Sequence, residues 1–336
     1  MNSATPARRR SFIAAAAGVL AGLGPTTTAH AAATRPRRSA DALILAADQH
    51  SQKVLLLDPA RPSWQSRRHL RPDDLAALWS WSPRDRPELA DLLPARSWGN
   101  VSEAKKRTTG AAQQVLTCSS EGLAAVVDYP DGRVSWARSI PDANIHSLEL
   151  LPGGTVAVAA STAGFVRLYP AAPAVDPRPA RYAEFRLPGA RGLQWDPSRE
   201  ALWALGDTRL VILTPGGSNR RPTLTERWRT SLPESLGHDL GTVAGDRDRL
   251  WVTTTRHVRQ FSTSALRFVP YPQENKVDRR QVKSIGDDPS TGRILSVAPQ
   301  RGHSCSWCTS TLDLYGPAGQ HTLVGASFYK ARWFAP

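Results

Sequence analysis

One phrase recurs through this chain at a spacing that leaves few folds open. A basic residue leads a short apolar strand, a polar turn follows, and a longer strand returns. His146 leads Ser147–Pro152, then 155–161 and 165–171. Arg191 leads Gly192–Pro197, then 200–206 and 208–214. His238 leads 239–243, then 249–255 and 257–262, and Lys283 leads Ser284–Pro289, then 293–299 and 310–316. The intervals between these basic residues are 45, 47 and 45. A further strand, such as Tyr182–Leu187, lies between units. Four short strands in about 45 residues make one blade of a β-propeller. A lone blade cannot bury both of its faces, so such units must stack on one another.

The ends extend the count. Backwards from His146, Lys105 heads a unit with strands at 112–119, 123–129 and 133–139. Lys330 lies 47 residues after Lys283 and leads only Ala331–Phe334. The missing strands stand at the other end of the chain, at 43–47, 54–57 and 78–81. The expectation is an all-β, six-bladed β-propeller over 41–336, whose innermost C-terminal strand closes a blade with the N-terminal strands. That closure leaves no free terminal edge. The stretches 59–76 and 84–103 interrupt the pattern and read as insertions, with short helical turns at 73–78 and 87–93.

The N-terminus reads as an export leader. Arg8-Arg9-Arg10-Ser11-Phe12-Ile13 precedes an apolar run to Gly24, and Ala29-His30-Ala31 is a small-x-small cleavage site. The arginine pair favours a twin-arginine signal peptide over 1–31, which implies a secreted protein. Residues 32–40 read as a disordered lead-in. No other stretch has the roughly 18 apolar residues of a membrane span. The chain carries 43 Lys and Arg against 29 Asp and Glu. These charges are scattered, with no basic helix or long run, so nucleic acid is not the expected partner. Among three cysteines, Cys305 and Cys308 suit a local disulfide in an oxidising compartment, and Cys118 reads as a buried small hydrophobe.

The chemistry to be explained is the repeated basic residue. At the start of innermost strands, Lys105, His146, Arg191, His238, Lys283 and Lys330 form a ring at one mouth of the channel. Lysine is rare here (six among the 43 basic residues), yet three lysines hold ring positions. Six cationic groups converging on one point call for an anion, or for channel carboxylates such as Glu149 or Asp239. The turns between second and third strands share that face. They offer Asp48-Gln49-His50, Ser119-Ser120, Ser161-Thr162, Asp207-Thr208, Arg256-His257 and Gln300-Arg301. Asp48, His146 and His238 are the candidates for proton transfer. No cofactor is expected. A divalent metal on His146 and His238, completed by Asp48 or Gln300, is a weaker alternative because Lys and Arg surround it. Trp195, Trp203 and Trp251 sit in repeat strands and suit the core. Trp64 and Trp98, in the insertions, are the candidates to stack on a sugar.

The chain resembles a family of uncharacterised secreted bacterial six-bladed propellers. The resemblance rests on Ala47-Asp48-Gln49, Trp79-Ser80-Trp81, Ser102-Glu103-Ala104-Lys105, His146-Ser147-x-Glu149-Leu150-Leu151-Pro152, Gly237-His238-Asp239-Leu240, Val282-Lys283-Ser284-Ile285-Gly286, Trp307-Cys308-Thr309 and Phe328-Tyr329-Lys330-Ala331-Arg332-Trp333. It covers nearly the whole mature chain. The family pattern has His where this chain has Arg191, which weakens any role needing three neutral imidazoles. It implies the fold and brings no activity. The functional expectation is therefore a monomeric binder of an anionic small molecule or glycan at the ring. The alternatives are a lyase or hydrolase acting on acidic sugars at the same face, and a protein-interaction platform.

Overall fold

A computed structural model of the chain describes residues 42–61, 64, 76–171, 181–218 and 221–335. The expected signal peptide over 1–31, the expected lead-in over 32–40 and most of the first insertion lie outside the described residues. Among the described residues, twenty-four strands form six four-stranded antiparallel sheets. Five sheets are consecutive in sequence, with innermost strands β4 (Val101–Thr109), β8 (Ile145–Leu150), β12 (Gly192–Asp196), β16 (Gly237–Val243) and β20 (Ser284–Asp287). The sixth joins both ends of the chain. Its innermost strand, β24 (Phe328–Phe334), pairs antiparallel with β1 (Leu43–Asp48), from Leu43↔Phe334 to Asp48↔Phe328. Each innermost strand touches the next, and β24 touches both β4 and β20, so the ring is closed. This is a six-bladed β-propeller.

The apolar runs take this form because of where each strand lies in its blade. The second strand of the third blade, Val156–Ala160, is buried along its whole length, since neighbouring blades cover both of its faces. The outermost strand Arg221–Ser231 alternates half-buried and exposed positions. The cores correspondingly divide into one apolar cluster per blade junction. Trp203 and Trp251 are fully buried in two of them, and half-buried Trp195 packs against a third. Each such side chain withdrawn from water contributes about 1.5–3 kcal/mol.

Asp48 pins the closure. It is buried, and its carboxylate accepts from Ser327 N at 2.7 Å, His50 N at 3.2 Å, Ser51 N at 3.1 Å and Ser51 Oγ at 2.6 Å. Those bonds cap its own turn and fasten the residue that leads into β24. The second insertion folds into short helical turns at Pro83–Asp85, Pro87–Leu92 and Pro94–Ser97. No helix among the described residues is long and apolar enough to cross a membrane.

Candidate functional site

The channel-facing start of each innermost strand is built by two local devices. Five strands are preceded by a left-handed residue: Asn100 (φ 53°), Asn144 (54°), Gly189 (65°), Leu236 (63°) and Gln281 (64°). Two residues later the strand pairing skips a position. The skipped residues are Ser102, His146 and His238, with Tyr329 as their counterpart in β24. Arg191 and Lys283 stand at the same offset, bonding Leu205 O and Val297 O just ahead of β12 and β20. A bulge of this kind re-aims its side chain, here into the channel mouth. The mouth therefore collects His146, Arg191, His238, Lys283 and Tyr329, while Ser102 is buried and donates to Ile145 O. Lys105 lies three residues past the equivalent point and Lys330 one residue past it, so the structure separates them from the other four ring residues.

Lys105 and Lys330 belong to a buried ion network in mid-channel. Arg332 forks onto Asp239 at 2.6 and 3.0 Å and onto Glu103 at 3.1 and 3.4 Å. Lys330 Nζ is 3.1 Å from Asp239 and 3.5 Å from Glu103, and donates to His146 O at 3.1 Å. Lys105 Nζ donates to Leu193 O at 2.8 Å and Leu148 O at 3.1 Å, with Glu149 at 3.6 Å. Arg107 completes the set with two bonds of 2.5 and 2.6 Å to Glu149. Four cations thus share Glu103, Glu149 and Asp239. Burial alone would raise the Glu103 carboxyl, but Arg332, Lys330 and Lys105 hold it well below the usual carboxylate range. Burial opposes the Lys330 charge as well, yet Glu103 and Asp239 raise its pKa. The network ties innermost strands of several blades together, which is a structural post for the two lysines.

The mouth itself has a different balance. It is a cavity of about 430 Å³ lined by His146, Arg191, His238, Lys283 and Tyr329, under a rim of Gln49, Asn100, Glu121, Asn144 and Trp307. Arg191 is held by Asp207, Nη1 to Oδ1 at 3.0 Å. Lys283 is 6% exposed and has no ion-pair partner among the described residues. Its Nζ lies 3.3 Å from His238 Nε2 and 3.3 Å from Gln281 Oε1. Burial, then Arg191 and Lys330, lower its pKa to about 8. Burial, then Lys283 and Arg191, keep His238 neutral. Burial and the same cationic company keep His146 neutral, and its Nδ1 meets the Tyr329 hydroxyl at 3.0 Å. With Lys283 donating to Nε2, the His238 proton resides on Nδ1, which is buried and has no hydrogen-bond partner among the described residues.

The same geometry answers the metal alternative. The Lys283 ammonium occupies the open side of His238 Nε2, and Tyr329 occupies His146 Nδ1. Asp48 is spent on its own turn and Ser327. Gln300 Oε1 accepts from Ser310 Oγ at 3.1 Å in its own loop. No cluster of three or more His, Cys, Asp or Glu suited to a metal occurs among the described residues.

Trp64 and Trp98 cannot stack on a sugar, because both are buried. The Trp64 indole N–H bonds Asp58 O at 2.7 Å, and that of Trp98 bonds Gln52 O at 2.8 Å. The exposed aromatic lining the mouth is Trp307, 45% exposed, with Nε1 fixed by Gln49 Oε1 at 2.9 Å. It stands between Cys305 and Cys308, whose Cα atoms are 5.5 Å apart. Neither Trp307 nor Tyr329 falls on the counted basic position, so the charge repeat does not point to them as site residues. The Asn or Gly two residues before the bulge would have located the true register at Asn100, Asn144 and Gly189.

Residues 54–335 match a family of unknown function, DUF6528. No curated protein matches the chain. Solved structures with a similar chain course include virginiamycin B lyase from Staphylococcus aureus, at 12% identity over 66% of this chain and 70% of that one, with a TM-score of 0.44. A chain of a mitotic checkpoint complex is similar at 11% identity over 90% and 84%, TM-score 0.47. A streptogramin B lyase is similar at 14% over 66% and 68%, TM-score 0.42. At these scores none of the three bears on function.

Proposed function

The chain belongs to this family of unknown function, and from that premise we propose that it binds a small anionic molecule or glycan at the channel mouth. The observation that carries the reading is Lys283: a buried cation facing a cavity, with no carboxylate in ion-pair range among the described residues. An uncompensated buried charge is costly, and a ligand acid group would relieve it. The unpartnered Nδ1–H of His238 asks for an acceptor in the same place. Arg191 keeps donors beyond the one given to Asp207. The rim supports a sugar acid in particular, since Asn100 and Asn144 suit hydroxyl groups and the exposed face of Trp307 suits an apolar sugar face. Export by the Arg9-Arg10 leader is part of the proposal, as is a Cys305–Cys308 bridge steadying Trp307. Protection of both thiols from alkylation until reductant is added tests the bridge.

The binding test is calorimetric titration with sulfate and with glucuronate. A charged hydrogen bond of about 1.5–3 kcal/mol makes Lys283→Ala about 10- to 100-fold weaker. Unchanged affinity for both ligands defeats the reading. One observation favours a lyase on the same ligands: His146 is neutral and hydrogen-bonded to Tyr329 beside the acid-binding groups. A neutral imidazole can take the proton next to a uronate carboxylate. Ultraviolet absorbance of unsaturated products from acidic oligosaccharides decides it, and silence across a panel that binds removes the lyase.

A further inference from the structure

We propose that Lys283 is a reactive amine that condenses with the carbonyl group of a 2-oxo acid, forming an imine at the channel mouth. The inference rests on the anion reading of the mouth, because Arg191 is the group that would hold the carboxylate of such a compound.

The six lysines differ in what surrounds them. Lys53 pairs with Asp85 at 3.5 Å, and Lys276 is exposed on a four-residue helical turn, Glu274–Val277. Lys106 bonds Ala335 O and lies 4.7 Å from the centroid of the Phe334 ring. Lys330 is set among Glu103 and Asp239, which raise its pKa; burial lowers Lys105 to about 8, but its Nζ is enclosed in mid-channel by Leu193 O, Leu148 O, Glu149 and Glu103 and does not line the mouth. Lys283 is the buried lysine that faces a cavity without a carboxylate in ion-pair range. A lysine becomes a nucleophile when burial or neighbouring cations expose its lone pair. Both conditions hold at Lys283, which is enclosed and has Arg191 and Lys330 as its charged company. The other titratable groups lining the cavity are His146, His238, Tyr329 and Glu121, and no ion pair joins Glu121 to Lys283. A nucleophile also needs a proton relay within hydrogen-bond reach, itself oriented by a third group. His238 Nε2 is 3.3 Å from Nζ, and Thr255 Oγ1 stands 3.5 Å from the same nitrogen.

The step balances without a redox partner. The neutral amine attacks the carbonyl carbon, a C–N bond forms, and the C=O π electrons move to oxygen. His238 Nε2 relays one proton from nitrogen to that oxygen, giving the carbinolamine. It relays the second as the C–O bond breaks, so water leaves and C=N remains. The carboxylate on Arg191 keeps the carbonyl carbon facing Nζ, which is catalysis by orientation. With a pKa of about 8, against 10.5 for an ordinary lysine, Lys283 holds about 200 times more free amine at pH 7.5 than an exposed lysine.

The test is reductive trapping. The full chain is incubated with pyruvate and sodium cyanoborohydride, and adducts are located by peptide mapping. The expected result is a single adduct on Lys283, formed at least about 50-fold faster than on Lys53 or Lys276. Lys283→Arg, which keeps the charge, loses that adduct. In the wild-type protein the trapping rate rises with an apparent pKa near 8, a readout that does not depend on a variant folding. Adducts spread evenly over Lys53, Lys276 and Lys283, or a rate still climbing toward pH 10.5, overturn the proposal. Equal trapping of acetone, which lacks the carboxylate, overturns the 2-oxo acid assignment. Calorimetry separates the two readings: pyruvate binding without an adduct sinks the imine and leaves the anion site standing.

Discussion

Glu103→Gln tests whether the mid-channel ion network is held together by charge. Glu103 is completely buried, meets Arg332 at 3.1 and 3.4 Å and Lys330 at 3.5 Å, and accepts from Ser147 Oγ at 2.8 Å. Glutamine keeps the shape and an acceptor but leaves Lys105, Arg107, Lys330 and Arg332 with two carboxylates. Removing one partner of a buried ion pair costs about 3–5 kcal/mol, and the retained amide places this change near 3. In urea, followed by tryptophan fluorescence, a slope of about 3 kcal/mol/M turns that loss into a midpoint about 1 M lower. The pH dependence supplies a second readout. The folded pKa of Glu103 lies below its unfolded value, so its contribution is complete above the unfolded pKa near 4.3 and is lost as pH falls toward the folded one. The gap between wild type and variant should therefore be widest at neutral pH and shrink below about pH 4. A midpoint shift under about 0.3 M, or a gap that stays constant down to pH 2, would refute the electrostatic account.

Sulfate affinity at the mouth should weaken above about pH 8, where ligand-free Lys283 loses its proton, by up to about tenfold per unit; an affinity flat from neutral to strongly alkaline pH contradicts the assignment of Lys283. Trp307→Ala should weaken glucuronate about tenfold by calorimetry while leaving sulfate within about twofold, because only the sugar has an apolar face to stack; equal losses for both ligands would mean that Trp307 shapes the cavity instead. Gly192→Ala should cost about 1–3 kcal/mol in urea titrations, since its Cβ would stand 2.6 Å from Leu240 Cβ in the next blade. Gly286→Ala, with nothing within 4 Å of its new Cβ, should stay within about 0.5 kcal/mol.

The blade count, the four-strand unit and the closure of β24 on β1 were legible in the chain because they rest on local signals. Strand periodicity and turn residues survive without any knowledge of neighbours, and a 45–47-residue interval admits few other architectures. Membership of the collar was not legible in full. Counting from one basic residue to the next put Lys105 and Lys330 beside His146, Arg191, His238 and Lys283. The true equivalence depends on a skipped pairing at Ser102 and Tyr329 that no local pattern of charge records. One position of slip along a strand turns a side chain to the opposite face, and three slide it deeper along the channel. Whether a buried lysine is compensated is also a property of strands distant in sequence: Lys330 meets Glu103 and Asp239, while Lys283 meets His238 and Gln281 among the described residues. Trp307 reaches the mouth through a loop anchored on Gln49, 258 residues away. Repetition along the chain determines a propeller; which charges are paired inside it is decided only once the ring closes, because Coulomb and desolvation terms depend on distances that closure alone sets.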